Sequence, residues 1–251
     1  MTLDASLYLI PCTLGDTPLD QVLPSYNIEV IKGIRHFIVE EIRTARRFLR
    51  RVDREFPIDD STFYEMGKHA APTDSPLKGR ERVEGKSLLF GGLEKLIAEG
   101  FPIGVISEAG CPAVADPGAD IVAIAQRLGI RVVPLVGPNS MIMAVMASGL
   151  NGQSFAFNGY LPIDEGERAR RLLQLEQRAQ RERQTQLFIE TPYRNRKMFE
   201  TLVRTLSPKT RLCVAAGITT SDEWIRTHTI SEWRRTELPD LSKVPAIFLM
   251  L

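Results

Sequence analysis

Short apolar runs alternate with amphipathic stretches along the first 150 residues of the chain. The runs predict β-strands over residues 7–11, 36–40, 63–66, 102–106 and 131–136. Apolar positions at three- and four-residue spacing predict helices over 19–33, 43–52, 91–99, 117–128 and 140–148. The polar residues 67–85, which include Gly and Pro, predict a long loop. Strands that alternate with helices of about ten residues predict βαβ units and a mostly parallel sheet.

The pattern changes after Asn151. Further strands are predicted over 155–161, 185–190, 211–216, 223–229 and 246–251, with helices over 165–183 and from Thr191-Pro192 onward. More strands with fewer crossovers predict a mixed sheet. We therefore expect an α/β protein with two domains, residues 1–150 and 151–251, a mostly parallel sheet in the N-terminal domain and a mixed sheet in the C-terminal one.

Three predicted strands end in loops rich in Gly and Pro. Leu9-Ile10-Pro11 runs into Cys12 to Asp16, Val105-Ile106 into Ser107 to Gly118, and Leu135-Val136 into Gly137 to Ser140. Within the second loop, Asp116 is the predicted N-cap of a helix, with Pro117 at its first position. The alternative for all three loops is that Gly, Pro and Asp serve only as turn and capping residues.

A ligand at these loops would meet main-chain atoms, because Gly permits close backbone approach and Pro keeps the backbone rigid. Ligands of open α/β sheets bind at the carboxyl ends of the strands. Exposed carbonyls favour a neutral or cationic nucleoside-like molecule. The sequence has neither Gly-x-Gly-x-x-Gly nor Gly-x-x-x-x-Gly-Lys-Ser/Thr, which gives no support to a dinucleotide or phosphate-loop site.

The ordered set of motifs resembles the tetrapyrrole methylase superfamily. It comprises LYLIP at 7–11, SEAGCP at 107–112 with DPG at 116–118, and PLVGPNS at 134–140. FNGYLP at 157–162 and ETPYR at 190–194 are most similar to segments of the 16S ribosomal RNA cytidine 2′-O-methyltransferase branch.

This resemblance implies two α/β domains, a homodimer, and S-adenosylmethionine bound in the cleft between the domains. The implied activity is methylation of the ribose 2′-oxygen of a cytidine in small-subunit ribosomal RNA. The residues implied to line the cofactor cleft are Pro11, Gly15, Glu108, Ala109, Gly110, Ala115, Asp116, Gly137, Pro138 and Ser140, with Tyr160, Leu161, Ala215 and Ala216 from the second domain.

The chain departs from the branch on the acceptor side. The branch usually has Asp and Thr where this chain has Glu108 and Cys111, and its Glu-Asp-Thr-Arg stretch appears here as residues 40–43, EEIR. Two alternatives therefore stay open. One is a tetrapyrrole C-methyltransferase of the same fold, and the other is a non-catalytic protein that binds S-adenosylmethionine and RNA.

Glu40 is the candidate catalytic base, because it follows a predicted strand and a hydroxyl acceptor must lose its proton. Arg43, three residues on, completes the candidate catalytic pair. The alternative is that the two side chains simply pair at a helix start, where an acid offsets the helix dipole.

Arginine is concentrated in residues 43–54, although the net charge of the chain is only +1. On a helix, Arg43, Arg47, Arg50 and Arg54 would share one face, which predicts contact with the RNA backbone. A plain solvated helix face is the alternative. Residues 168–183 form a second basic cluster, but interspersed glutamates predict a solvated face there.

The remaining composition excludes several classes of protein. Three cysteines, at positions 12, 111 and 213, are too few and too scattered for a disulfide framework, and predict reduced thiols in a cytoplasmic protein. The three histidines, at positions 36, 69 and 228, lack the spacing of metal ligands. We therefore expect no bound metal. No apolar run reaches about 18 residues, so we expect no membrane span either.

Overall fold

The computed structural model describes residues 2–66 and 92–251, which form two compact units, Met1–Pro138 and Asn139–Leu251. The loop expected at 67–85 and the expected helix start at Gly91 lie outside the described residues. The division falls before the helix Ser140–Ser148, whereas the sequence pattern placed the boundary after it, at residue 150. The helix belongs to the second unit because it packs on that unit's strands.

The first unit is built on a parallel sheet of five strands in the order β3-β2-β4-β1-β5. The strands are β1 Leu7–Ile10, β2 His36–Val39, β3 Thr62–Glu65, β4 Ile103–Ile106 and β5 Val132–Pro134. The helices are α1 Leu19–Val22, α2 Ser25–Gly33, α3 Ile42–Val52, α4 Leu93–Ala98 and α5 Gly118–Arg127. The prediction of a parallel sheet in this unit is confirmed.

The predicted single helix over 19–33 is wrong, because the chain forms two helices separated at Pro24. Proline has no N–H to donate to the preceding turn, and its ring pushes the residue before it into extended backbone. Leu23 accordingly has φ −119° and ψ 127°, and α2 starts afresh at Ser25.

Helices cover both faces of the parallel sheet. On one face, the buried residues of α2 and α3 pack with inward-facing residues of β1 and β2. On the other face, Leu93 of α4 and Ile121 and Ala125 of α5 pack with Val105 of the central strand β4. All four residues of β4 are buried, as expected for a parallel strand with helices on both sides.

The second unit has a mixed sheet in the order β6-β7-β10-β8-β9, in which only the β6–β7 pair is parallel. Its strands are β6 Phe155–Tyr160, β7 Thr185–Glu190, β8 Arg211–Ala216, β9 Trp224–Thr229 and β10 Ala246–Met250. Its helices are α6 Ser140–Ser148, α7 Glu165–Glu182, α8 Asn195–Thr205 after a 3₁₀ turn at Pro192–Arg194, and α9 Ile230–Trp233. The predicted mixed sheet is confirmed.

The basic stretch over 168–183 is not simply a solvated face, and that prediction is wrong at Arg168. This side chain is buried and donates to the Ile163 carbonyl at 2.9 Å and to the Thr201 hydroxyl at 3.3 Å. Glu176 is also buried and accepts the Ser207 N–H at 2.8 Å. Charged residues of α7 therefore fix it to neighbouring elements, which the helical spacing of charges alone does not predict.

Gly104 provides a test of core packing in the first unit. A Cβ at this position would lie 2.6 Å from Ile10 Cδ1 and 3.0 Å from Phe37 Cδ1. We expect Gly104→Ala to lower the free energy of unfolding by about 1–3 kcal/mol through overpacking. Gly152→Ala is the matched control, since its Cβ would meet only Val145, at 3.6 Å. Urea unfolding of both variants measures the difference, and equal stabilities would contradict this account of the sheet.

Candidate active site at the strand ends

The register of the first sheet brings the ends of β4, β1 and β5 to one edge. Ile10 pairs with Ile106, and Leu9 pairs with both Val105 and Pro134. Beyond the strands, the Cys12 N–H donates to the Gly110 carbonyl at 2.9 Å. The loops that follow β1 and β4 are therefore joined directly by their main chains.

The loop after β5 lies against the loop after β1. A Cβ at Gly137 would lie 2.3 Å from Pro11 Cβ, so only glycine fits the approach seen here. The Cys111 thiol lies 3.4 Å from the Pro138 carbonyl, and the Asn27 amide donates to the Val136 carbonyl at 2.7 Å. Contacts from the other two loops and from α2 thus hold this third loop in place.

The loop after β4 has an unusual backbone. Gly110, Ala113 and Ala115 have φ values of 69°, 64° and 60°, in the left-handed region. Left-handed backbone costs an alanine roughly 1–2 kcal/mol relative to ordinary conformations. Strain of this kind persists where surrounding structure imposes it, and it is frequent at ligand sites.

Asp116 organises the same loop. Its Oδ1 accepts the N–H of Ala113 at 2.8 Å and of Gly118 at 2.6 Å. The predicted N-cap is therefore one residue off, because α5 begins at Gly118 with Pro117 as its N-cap, and Asp116 supports the turn just before the helix. Its Oδ2 is buried and has no hydrogen-bond partner among the residues that the structure describes. A buried acceptor left over in this way is suited to a donor from a ligand or a water.

Glu40 and Glu108 follow neighbouring strands, β2 and β4, and lie together. The Glu108 N–H donates to Glu40 Oε2 at 3.2 Å, and the Thr44 hydroxyl donates to Glu108 Oε1 at 2.6 Å. Thr44 lies in the first turn of α3 and was not predicted as a site residue. Its only sequence signal is its position four residues after Glu40, at the start of the helix that follows β2.

Cys12 is a buried thiol at this edge of the sheet. Burial, together with the negative charge of Glu108, raises the pKa of the Cys12 thiol far above its usual range. Because the thiolate is the reactive form, this shift disfavours Cys12 as a nucleophile, and its place in the hydrophobic core fits a packing role. Among the described residues, no group of His, Cys, Asp and Glu side chains is arranged to hold a metal ion.

The candidate residues of the second unit lie along one edge of its own sheet. Tyr160, at the end of β6, is exposed, whereas Leu161 and Ala216 belong to the unit's hydrophobic core. Ala215 is also fully buried in β8. Leu161, Ala215 and Ala216 could therefore offer main-chain atoms rather than side chains to a ligand. Ser140 opens α6, which is capped by the Asn139 side chain through the Ile142 N–H at 3.1 Å.

The predicted row of four arginines on one helix needs correction. Arg43, Arg47 and Arg50 are exposed on α3, but Asp53 has extended backbone, with φ −149° and ψ 123°, and ends the helix at Val52. Arg54 therefore leaves the helical face. It stays close to Arg50, whose guanidinium donates to the Arg54 carbonyl at 2.6 Å.

No protein-family model matches the chain, but several curated proteins do. It is 32% identical to the ribosomal RNA small subunit methyltransferase I of Vibrio cholerae over 226 residues, which cover 90% of this chain and 69% of the relative. The protein of the same name from Pseudomonas aeruginosa is 34% identical over 227 residues, with 90% and 71% covered. The Bacillus subtilis protein of that name is 26% identical over 226 residues, with 90% and 68% covered.

A solved structure shares the fold. The methyltransferase CobJ matches with a TM-score of 0.56 over 98% of this chain and 93% of its own, at 15% sequence identity. This likeness confirms the tetrapyrrole methylase fold that the motifs predicted. Because the curated relatives align along nine tenths of the chain, we assign it to the ribosomal RNA small subunit methyltransferase I family.

Proposed function

We propose that the protein transfers a methyl group from S-adenosylmethionine to the ribose 2′-oxygen of a cytidine in small-subunit ribosomal RNA. The observation that carries the proposal is the convergence of three glycine- and proline-containing loops at one sheet edge, in a chain whose relatives are named for this RNA subunit. We place the activity in the cytoplasm, together with its proposed ribosomal substrate. Separately, none of the described helices could span a bilayer.

The chemistry of the strand-end loops fits S-adenosylmethionine. This cofactor supplies an activated methyl group on a positively charged sulfur. The carbonyls of Gly137 and Pro138 meet the Cys111 thiol, a weak donor, and carbonyl oxygens favour positive charge and ribose hydroxyls. Asp116 Oδ2 is a buried acceptor to which a hydroxyl or amino group could donate. Glycine at position 137 lets the third loop approach the first closely, because a side chain there would clash with the Pro11 ring.

Cofactor contacts are proposed in each unit. In the first unit they are Pro11, Gly15, Glu108, Ala109, Gly110, Ala115, Asp116, Gly137 and Pro138. In the second unit they are Ser140, Tyr160, Leu161, Ala215 and Ala216. Loops joined by main-chain hydrogen bonds would hold the methyl donor in a fixed orientation. Correct alignment of the methyl donor and the acceptor can lower the barrier to displacement by about 7–11 kcal/mol.

Glu40 is proposed to take the proton of the acceptor hydroxyl. Its carboxylate is held in place by the Glu108 N–H, at 3.2 Å, and it lies at the same sheet edge as the cofactor loops. Arg43, in the first turn of α3, is proposed to stabilise the negative charge of the Glu40 carboxylate. The exposed arginines at positions 43, 47, 50 and 54 are proposed to contact RNA phosphates, a role that one small tetrapyrrole would not require.

Self-association is part of the proposal. Ile142 and Met146, one turn apart on α6, are 44% and 78% exposed. Large apolar side chains exposed together are typical of surfaces that a partner covers. We infer that a second copy of the chain covers this part of the second unit.

The three cysteines provide a test of the cofactor site. We expect N-ethylmaleimide to modify partly exposed Cys111 first, since Cys12 and Cys213 are buried and burial raises the pKa of Cys213 to about 11. S-adenosylhomocysteine should slow Cys111 labelling by about tenfold or more, and NAD should not. Peptide mass spectrometry measures the labelling. Equal labelling with and without S-adenosylhomocysteine, or protection by NAD instead, would count against the site.

Glu40→Gln tests the proton acceptor. We expect turnover to fall by about 10²–10⁴-fold, the usual worth of general base catalysis, while the affinity for S-adenosylmethionine stays within about twofold. Glu41→Gln is the matched control, because Glu41 is exposed and adjacent in sequence. Single-turnover kinetics and calorimetry measure the two quantities. Full activity of Glu40→Gln would remove Glu40 from the mechanism.

The methylated product tests the function as a whole. Purified protein should transfer a labelled methyl group from S-adenosylmethionine to small ribosomal subunits isolated from cells that lack it. Nuclease digestion and mass spectrometry should then identify 2′-O-methylcytidine. A methyl group on another nucleotide or on a base would correct the acceptor, and transfer only to a tetrapyrrole would replace the RNA assignment.

A further inference from the structure

A groove of about 700 Å³ lies on the first unit, next to the end of the loop after β1. It runs between α1, the start of α2 and the end of α3. Its lining residues are Pro18, Leu19, Asp20, Leu23, Ser25, Ile28, Arg50, Arg51, Val52 and Arg54. A volume of this size is in the usual range for sites that hold small organic ligands.

One side of the groove is cationic. Three arginines, Arg50, Arg51 and Arg54, are among its lining residues, against one acidic residue, Asp20. Arg51 donates to the Thr17 carbonyl at 2.6 Å, and Arg50 donates to the Arg54 carbonyl at 2.6 Å. These bonds fix the positions of the two side chains, and each guanidinium has five N–H donors, so donors remain for an anion. Planar, oriented guanidinium groups are well suited to phosphate.

The rest of the groove is largely apolar. Leu19, Leu23, Ile28 and Val52 line it, together with Pro18. Fixed cations beside an apolar wall match a molecule that has an anionic group at one end and a flat, weakly polar group at the other. A nucleotide has this combination, with its phosphate at the arginines and its base and ribose on the aliphatic side chains.

We propose that this groove binds one unpaired nucleotide of the RNA substrate, beside the nucleotide that is methylated. The inference rests on the proposed function. Helix α3 connects the two places: Thr44, in its first turn, binds Glu108, and Arg50, in its last turn, lines the groove. A rise of 1.5 Å per residue separates Thr44 from Arg50 by about 9 Å along the helix axis. The nucleotide in the groove is therefore a neighbour of the target rather than the target itself.

The groove also adjoins the loop after β1. Pro18 lines it, and Arg51 holds the carbonyl of Thr17 in that same loop. RNA bound here would contact a loop that contributes to the proposed cofactor site. The positive charge of the groove would suit an acidic peptide as well as an RNA strand, and the apolar wall is the feature that favours a nucleotide. The experiments therefore separate phosphate, nucleotide and protein ligands.

The double variant Arg50→Ala/Arg54→Ala tests the cationic side. Its affinity for a short single-stranded oligoribonucleotide should fall about tenfold or more at low salt. The slope of log K against log salt should flatten by about 1.4, since each lost single-strand phosphate contact contributes about 0.7. Lys95→Ala/Arg127→Ala, which removes two exposed charges elsewhere in the unit, should retain both values. An unchanged slope in the groove variant, or lost self-association with intact RNA affinity, overturns the proposal.

The variants Leu19→Ser and Ile28→Thr test the apolar wall. Titration with cytidine 5′-monophosphate and with inorganic phosphate should show weaker binding of the nucleotide, by about fivefold, and unchanged binding of phosphate. Circular dichroism and thermal unfolding establish that the variants are folded. Should either variant prove unfolded, crosslinking of a 4-thiouridine oligoribonucleotide to the wild-type protein replaces it, and crosslinks should fall in residues 17–28 or 50–54. Equal loss of both ligands, or crosslinks confined to other segments, overturns the assignment.

Methyl transfer to small ribosomal subunits, measured with the same preparations, separates this inference from the proposed function. If the wild-type protein methylates the subunit and Arg50→Ala/Arg54→Ala does so at an unaltered KM, the groove proposal fails and the function stands. If the wild-type protein transfers no methyl group yet binds the oligoribonucleotide through the groove, the proposed function fails and the groove stands.

Discussion

The parallel register of β4, β1 and β5 is the constraint on which the rest of the candidate site depends. Parallel strands end at the same edge, so three loops that are up to about 130 residues apart in sequence are forced together. The Cys12–Gly110 main-chain bond and the contact of Gly137 with Pro11 extend that order beyond the strands. The loops consequently have a defined shape before any ligand binds, which reduces the cost of ordering them on binding.

The shape of the loop after β4 includes strained backbone, and the packing of the sheet maintains that shape. Two alanines of the loop after β4 have left-handed backbone, and one Asp116 oxygen is buried without a partner among the described residues. Neither feature would persist in an isolated loop. They persist here because β4 is buried along its whole length between helices, and because Asp116 itself accepts two N–H groups of the loop. Core packing and local capping together hold a conformation that the loop residues alone disfavour.

Helix α3 links the acidic and basic parts of the first unit. Its first turn places Thr44 on Glu108, whose N–H binds Glu40, and its last turn places Arg50 and Arg51 in the groove. Buried residues Ala45, Phe48 and Leu49 fix the helix on the sheet, so both ends are held by the same core. A rigid helix of this kind sets the spacing between an acceptor group at one end and a phosphate at the other.

Periodicity and composition alone predict the fold class, the three strand-end loops and most elements to within about two residues. Alternating apolar runs follow directly from strand and helix periodicity, and strands such as Thr185–Glu190 and Arg211–Ala216 have the bounds that were predicted. Packing and backbone geometry set the features that periodicity does not encode. The burial of Arg168 and the contact of Thr44 with Glu108 depend on neighbours distant in sequence. The break at Pro24 and the departure of Arg54 from its helix are local backbone effects, which the spacing of apolar and charged residues does not show. Local spacing specifies which face of an element is apolar, but the partners of its polar side chains are chosen only when the elements pack.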